Sequence, residues 1–155
     1  MDRRVEVSPD KLRAALWILR VKTIGGLGLA FKPLTDEIRE APSVRVIEEL
    51  LKEGATVRLY DPQAMPNMRA LFPEEPGRVE YCRSASEVAN ESHAILLVTE
   101  RDEFRRVDWA KLRDAMEVPL IVDGRDFLDP AAMRDAGFEY FSVDREARQP
   151  VPTVA

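Results

Sequence analysis

A chain of 155 residues, 45% hydrophobic and 33% charged, has room for one domain with a core of ordinary size. Its formal net charge of −5, with lysines and arginines scattered rather than gathered into a stripe, argues against nucleic acid and leaves open one anionic ligand held by one or two local cations. The single cysteine, Cys82, permits no internal disulfide and has no metal-ligand spacing with the lone histidine, His93, and no apolar run approaches the ~20 residues that cross a bilayer, so the expected setting is the reducing cytoplasm, with neither metal nor membrane.

The first predicted element is an amphipathic helix over 8–20: Ser8 can cap it, Pro9 suits its first position, and Leu12, Ala15, Leu16 and Leu19 make an apolar stripe. The run VKTIGGLGLAF (21–31) reads as a strand that ends near its glycines. From Pro42, the segment PSVRVIEELLKEG predicts a helix with Val44, Ile47, Leu50 and Leu51 on one face and Gly54 as its stop. TVRLY is a second strand, closed by the turn pair Asp61-Pro62. The stretch 65–78 contains three prolines and a glycine and predicts one helical turn followed by loop. VEYC is a brief strand, and Ser84 and Glu87 stand at capping-box spacing before a short helix. AILLVT and PLIVD are continuous apolar runs of the kind buried on both faces of a parallel sheet. Between them, Asp108 caps WAKLRDAM, while the mixed charges of TERDEFRRVDW predict a solvated loop anchored by Phe104 and Trp109. PAAMRDAG predicts a short helix, FEYFSV a last strand, and 144–155 a loose tail. Strands alternating with helices at these lengths specify an α/β fold, a Rossmann-like three-layer αβα arrangement with a mostly parallel, doubly wound sheet, in which ligands sit beyond the carboxyl ends of the strands. The boundaries expected are the helix at 1–20, the sheet domain at 21–143 and the tail.

A dinucleotide fingerprint needs three small residues in the turn after the first strand. Gly26 and Gly28 fit the first two, but Phe31 stands where the third should be, and Pro33 disfavours helical geometry at Lys32. The glycines then serve close packing of strand and loop. Lys32 leaves the first strand at its carboxyl end and is either a solvated loop residue or a phosphate contact. Arg125, after Asp123 and Gly124 at the end of PLIVD, either pairs with Asp126 or Asp129 or projects over the same edge towards Lys32. Asp61, placed where dinucleotide folds keep an acid for the ribose, reads here as a turn residue before Pro62. Cys82 reads as a small strand side chain rather than a nucleophile, and His93 as a residue that satisfies its polar atoms at a strand start.

The segments GLGLAFKPLTDEIREAP, EELLKEGATVRLYDP, LLVTERDEFRRVDW, VDGRDFLDP and GFEYFSV occur in the order seen in the carboxyl-terminal domain of UDP-glucose/GDP-mannose dehydrogenases, which the chain resembles from about Val21 to Val143. The bacterial UDP-glucose 6-dehydrogenase branch is the most similar. The resemblance implies an enzyme that oxidises a sugar's primary alcohol to a carboxylate in two NAD-dependent steps, with the catalytic cysteine and the NAD site in the amino-terminal and middle regions. It gives this domain the nucleotide part of a UDP-sugar, and it assigns Phe31, Lys32 and Arg125 to that ligand. It implies no catalytic residue and no bound cofactor here, and Cys82 does not match the family's nucleophile. Three departures are mild: Gly26 replaces a branched residue, Glu37 a second Asp, and DGRD the frequent DGRN; the serious one is that the expected NAD domain and nucleophile segments do not precede this domain in the sequence. The 8–20 helix resembles the last turns of the long helix that carries the dimer contact, so a homodimer and a separate amino-terminal dehydrogenase half are the expected partners. The alternative is an interaction module that self-associates through Leu12, Leu16 and Leu19 and keeps only a vestigial nucleotide site.

Overall fold

The apolar runs that read as doubly buried strands fold that way. In a computed structural model, which describes residues 22–29, 42–99, 101–125 and 127–142, the elements in chain order are β1 (Thr23–Leu27), α1 (Pro42–Lys52), β2 (Thr56–Tyr60), α2 (Met65–Leu71), β3 (Val79–Tyr81), α3 (Ala85–Ala89), β4 (Ala94–Leu97), α4 (Asp102–Arg105), α5 (Trp109–Ala115), β5 (Leu120–Asp123), α6 (Pro130–Asp135) and β6 (Glu139–Ser142). The strands form one sheet in the order β3-β2-β1-β4-β5-β6, and every neighbouring pair is parallel. This is the expected three-layer Rossmann-like architecture, and the order reverses between β1 and β4. The predicted helix at 8–20 and the tail lie outside the described residues.

Alternation along each strand divides the core between two faces. Ile24, Val57, Leu59, Leu96 and Val122 meet Val46, Ile47 and Leu50 of α1 and Met68 of α2 on one side. Leu27, Ile95, Leu97 and Ile121 meet Val88, Phe104, Leu112 and Met133 of the other helices on the opposite side. Full burial of Ile47 and Leu50 contributes about 1.5–3 kcal/mol each. Val46 joins them in the core, whereas Val44 and Leu51, predicted to share that face, are only partly buried. Gly25 sits where β1 passes closest to α3: a Cβ there would come within 2.4 Å of Val88 Cγ1. Gly26, one of the two glycines read as packing residues, would place a Cβ 3.1 Å from Leu59 Cδ2.

The first strand, Thr23–Leu27, ends near its glycines as expected. Two local expectations are corrected. The stretch after Met65 forms a helix of 7 residues rather than one turn. Pro66 falls in its first turn, where a missing N–H costs no bond, and the fully buried Met68 seats it on the sheet. The charged stretch after β4 contains α4 because Phe104 is fully buried and meets Tyr60 edge to face, with ring centroids 6.3 Å apart. Phe104 and Trp109 are anchors as expected, with Trp109 Nε1 donating to the Phe104 carbonyl at 2.9 Å. The caps at Ser84 and Asp108 also form, but Glu87 reaches back to the Arg83 N–H, so the capping box is displaced by one residue.

Candidate functional site

All six strands end at one edge of the sheet, and the residues that follow β1, β4 and β5 define the candidate site. Gly28 leaves β1 with φ +87 and donates its N–H to the Tyr60 carbonyl at 3.0 Å. A Cβ on Gly28 would lie 2.3 Å from the Thr99 carbonyl oxygen, so the close neighbour that demands glycine here is the chain's own backbone. Leu29, fully buried, is held at both of its backbone polar groups. Its N–H donates to Asp61 Oδ2 at 2.7 Å, and its carbonyl accepts from Ser43 Oγ at 2.7 Å. Ser43 lies in the first turn of α1, fourteen positions on, so the chain leaves the sheet and re-enters a helix at the same point.

Asp61 organises this edge. Its Oδ1 accepts from the N–H groups of Gln63 and Ala64 at 2.8 and 3.1 Å, which is the turn predicted before Pro62. The same oxygen accepts from Arg101 Nη2 at 3.0 Å, and the two side chains are 0% and 5% exposed. Arg101 thus corrects the expectation of a solvated loop after β4. It crosses over the end of β1 to an acid forty positions away, a pairing that only the strand order explains. Both Asp61 oxygens are engaged by the protein, so the carboxylate that would take the ribose of a dinucleotide is already committed. Beside this pair, the Tyr60 hydroxyl donates to Glu103 Oε2 at 2.6 Å. Burial and that carboxylate acceptor push the phenol's pKa up to about 12.

The turn after β5 has its own organiser. Asp123 is fully buried, and Oδ1 accepts from Arg125 N–H at 2.9 Å while Oδ2 accepts from the N–H groups of Phe127 and Leu128 at 2.8 Å each. Gly124 N–H donates to the Leu97 carbonyl of β4 at 2.9 Å. Arg125 is therefore launched from the carboxyl edge, as its position in the sequence implied, and it is partly buried there. Of the predicted ligand residues, Phe31 and Lys32 lie outside the described residues. Asp61, Arg101 and Asp123 are the organising residues of the edge, and the sequence offered a signal for the first and third only.

The remaining candidates play the parts expected of them. Cys82 is buried, and that burial pushes its thiol up to about 11, far from a reactive thiolate. His93 Nδ1 accepts the Thr23 N–H at 3.1 Å at the start of β1, which requires a neutral ring. Burial, and then the Lys22 charge, hold its pKa below the ordinary imidazole value near 6.5. A depressed value means that the unfolded chain takes up the proton first. The stability His93 gives is complete above about pH 6.5 and is lost as pH falls through the folded value. Urea midpoints of the unsubstituted protein should therefore drop more between about pH 7 and about pH 5 than those of His93→Asn, and parallel curves would discount the histidine. Among the described residues no group of three or more His, Cys, Asp or Glu could hold a metal ion, and no helix is long and apolar enough to cross a membrane.

Residues 25–130, which include the exits of both β1 and β5, match the model of the UDP-glucose/GDP-mannose dehydrogenase family, UDP binding domain. The chain belongs to this family. It is 41% identical over 126 residues to the UDP-glucose 6-dehydrogenase of Pseudomonas aeruginosa, a stretch that covers 80% of this chain and 28% of that enzyme. It is 35% identical over 138 residues to the UDP-glucose 6-dehydrogenase TuaD of Bacillus subtilis, covering 89% of this chain and 29% of the relative. In structure it is similar to a UDP-glucose dehydrogenase from the hyperthermophilic archaeon Pyrobaculum islandicum, with a TM-score of 0.70 and 30% identity over 86% of this chain and 28% of that one. The chain thus spans under a third of the length of these dehydrogenases, and the part it spans corresponds to the family's UDP binding domain.

Proposed function

We propose that this domain binds the nucleotide diphosphate of a UDP-sugar at the carboxyl edge of the sheet, with Phe31 and Lys32 reaching it from the exit of β1 and Arg125 from the exit of β5. The observation that carries this reading is that β1 and β5 are parallel members of one sheet with β4 between them. Their exits lie two strand spacings apart, about 10 Å, which a lysine and an arginine can bridge to one diphosphate. The chemistry suits the residues: an ammonium is a mobile point charge, and a guanidinium presents a fork that matches phosphate oxygens. In a chain of net charge −5, attraction for such an anion must come from local cations rather than from the overall field. Asp61, committed to Arg101 and Leu29, supports a ligand other than a dinucleotide at this edge.

Within a whole dehydrogenase, this domain would hold substrate while the sugar's primary alcohol is oxidised to a carboxylate. The NAD and the nucleophile of that reaction are assigned to regions outside the family's UDP binding domain. Pairing of two copies is assigned to the Leu12, Leu16 and Leu19 stripe. Thermal melts test the ligand directly: UDP and UDP-glucose at a hundred times their dissociation constant stabilise the domain by about 2.7 kcal/mol, and NAD leaves it unchanged. Calorimetry on Lys32→Ala and Arg125→Ala should show UDP affinity reduced by about 10- to 100-fold in each, from the loss of one charge-assisted contact. Unchanged affinity in either variant removes that residue from the site.

A further inference from the structure

The hydroxyl of Tyr140, on β6, donates to Asp123 Oδ2 at 2.7 Å and lies 3.2 Å from the Leu128 carbonyl oxygen. Tyr140 is 6% exposed and Asp123 is 0% exposed, so this contact is made inside the protein. Phenylalanine would fill the same volume in the core beneath α6. What the hydroxyl adds is direction. The terminal torsion of an aspartate is soft, and the oxygen that faces the turn is selected by the donors around it. Here the Tyr140 O–H and the N–H groups of Phe127 and Leu128 gather on Oδ2, which leaves Oδ1 aimed at the Arg125 N–H at 2.9 Å. The backbone from which Arg125 departs is thereby fixed by a residue on the next strand, since β5 and β6 run side by side with Asp123 opposite Ser142.

We propose that Tyr140 is a positioning residue for Arg125: through Asp123 it sets the point from which the guanidinium meets the diphosphate. This rests on the reading that Arg125 grips that group. The test is calorimetry with UDP and with uridine on the unsubstituted domain, Tyr140→Phe, Arg125→Ala and the double variant. Tyr140→Phe is expected to weaken UDP by about 3- to 10-fold, the worth of one directed hydrogen bond, while uridine, which lacks the diphosphate, is held as before. In the Arg125→Ala background the same substitution should change UDP affinity no further, because the residue it positions is gone. Equal weakening of UDP and uridine, or an undiminished effect of Tyr140→Phe without Arg125, would show a general structural role and overturn the proposal. If UDP does not bind the unsubstituted domain, or Arg125→Ala has no effect, the parent reading falls and takes this one with it. If Tyr140→Phe does not fold, Asp123→Asn is measured in its place with the same ligands and the same cycle.

Discussion

Replacing Gly28 with valine is expected to be the most destabilising single change in the domain. Two costs coincide at this residue. A backbone at φ +87 is hostile to a β-branched side chain. The new Cβ would also stand 2.3 Å from the carbonyl oxygen and 2.7 Å from the nitrogen of Thr99. Those are main-chain atoms, which cannot rotate aside as a flexible side chain would. Nor can the turn retreat cheaply, because Gly28 N–H is bonded to Tyr60 and the Leu27 carbonyl to Val98 N–H. A penalty of about 4–5 kcal/mol or more would consume a third or more of the roughly 5–15 kcal/mol ordinary for a domain. Gly77 is the control. It has φ +80 but nothing within 4 Å of its would-be Cβ, so Gly77→Ala isolates the backbone cost, about 1 kcal/mol. Urea melts followed by circular dichroism measure both. A Gly28→Val domain that unfolds within about 1 kcal/mol of the unsubstituted protein would refute the packing described between β1 and Thr99.

Asp61→Ala should be the next most damaging change, at about 3–5 kcal/mol, because it takes the carboxylate away from a buried guanidinium. It also takes the acceptor from the N–H groups of Leu29, Gln63 and Ala64. Combining it with Arg101→Met should restore part of the loss, since an absent pair costs less than half of one. A loss below about 1 kcal/mol for Asp61→Ala would mean that the pair is solvated in solution. A double variant no more stable than Asp61→Ala would place the cost in the three backbone donors.

The sheet was legible because AILL and LIVD are buried at every position, a pattern that suits strands covered on both faces and little else. The turn at Asp61 and the caps at Ser84 and Asp108 were legible because each involves residues within a few positions of one another. Arg101 was not. Surrounded by charges it looks like solvated chain, and its partner becomes visible only when β2 and β4 are known to flank β1. Tyr140 was hidden for a similar reason: alternation identifies its inward face but says nothing of where a hydroxyl finds its acceptor. In the candidate site, Arg125 could be placed from its position after a doubly buried strand, whereas the ligand roles proposed for Phe31, Lys32 and Arg125 come from resemblance to relatives.

The bond from Ser43 to the Leu29 carbonyl makes departure and return of the chain a single fixed junction. Whatever sequence runs between these two residues, β1 and α1 receive it at the same place, and doubling its length adds only about 0.6 kcal/mol of closure entropy. The junction itself therefore tolerates changes in the length of that stretch at little cost to the platform.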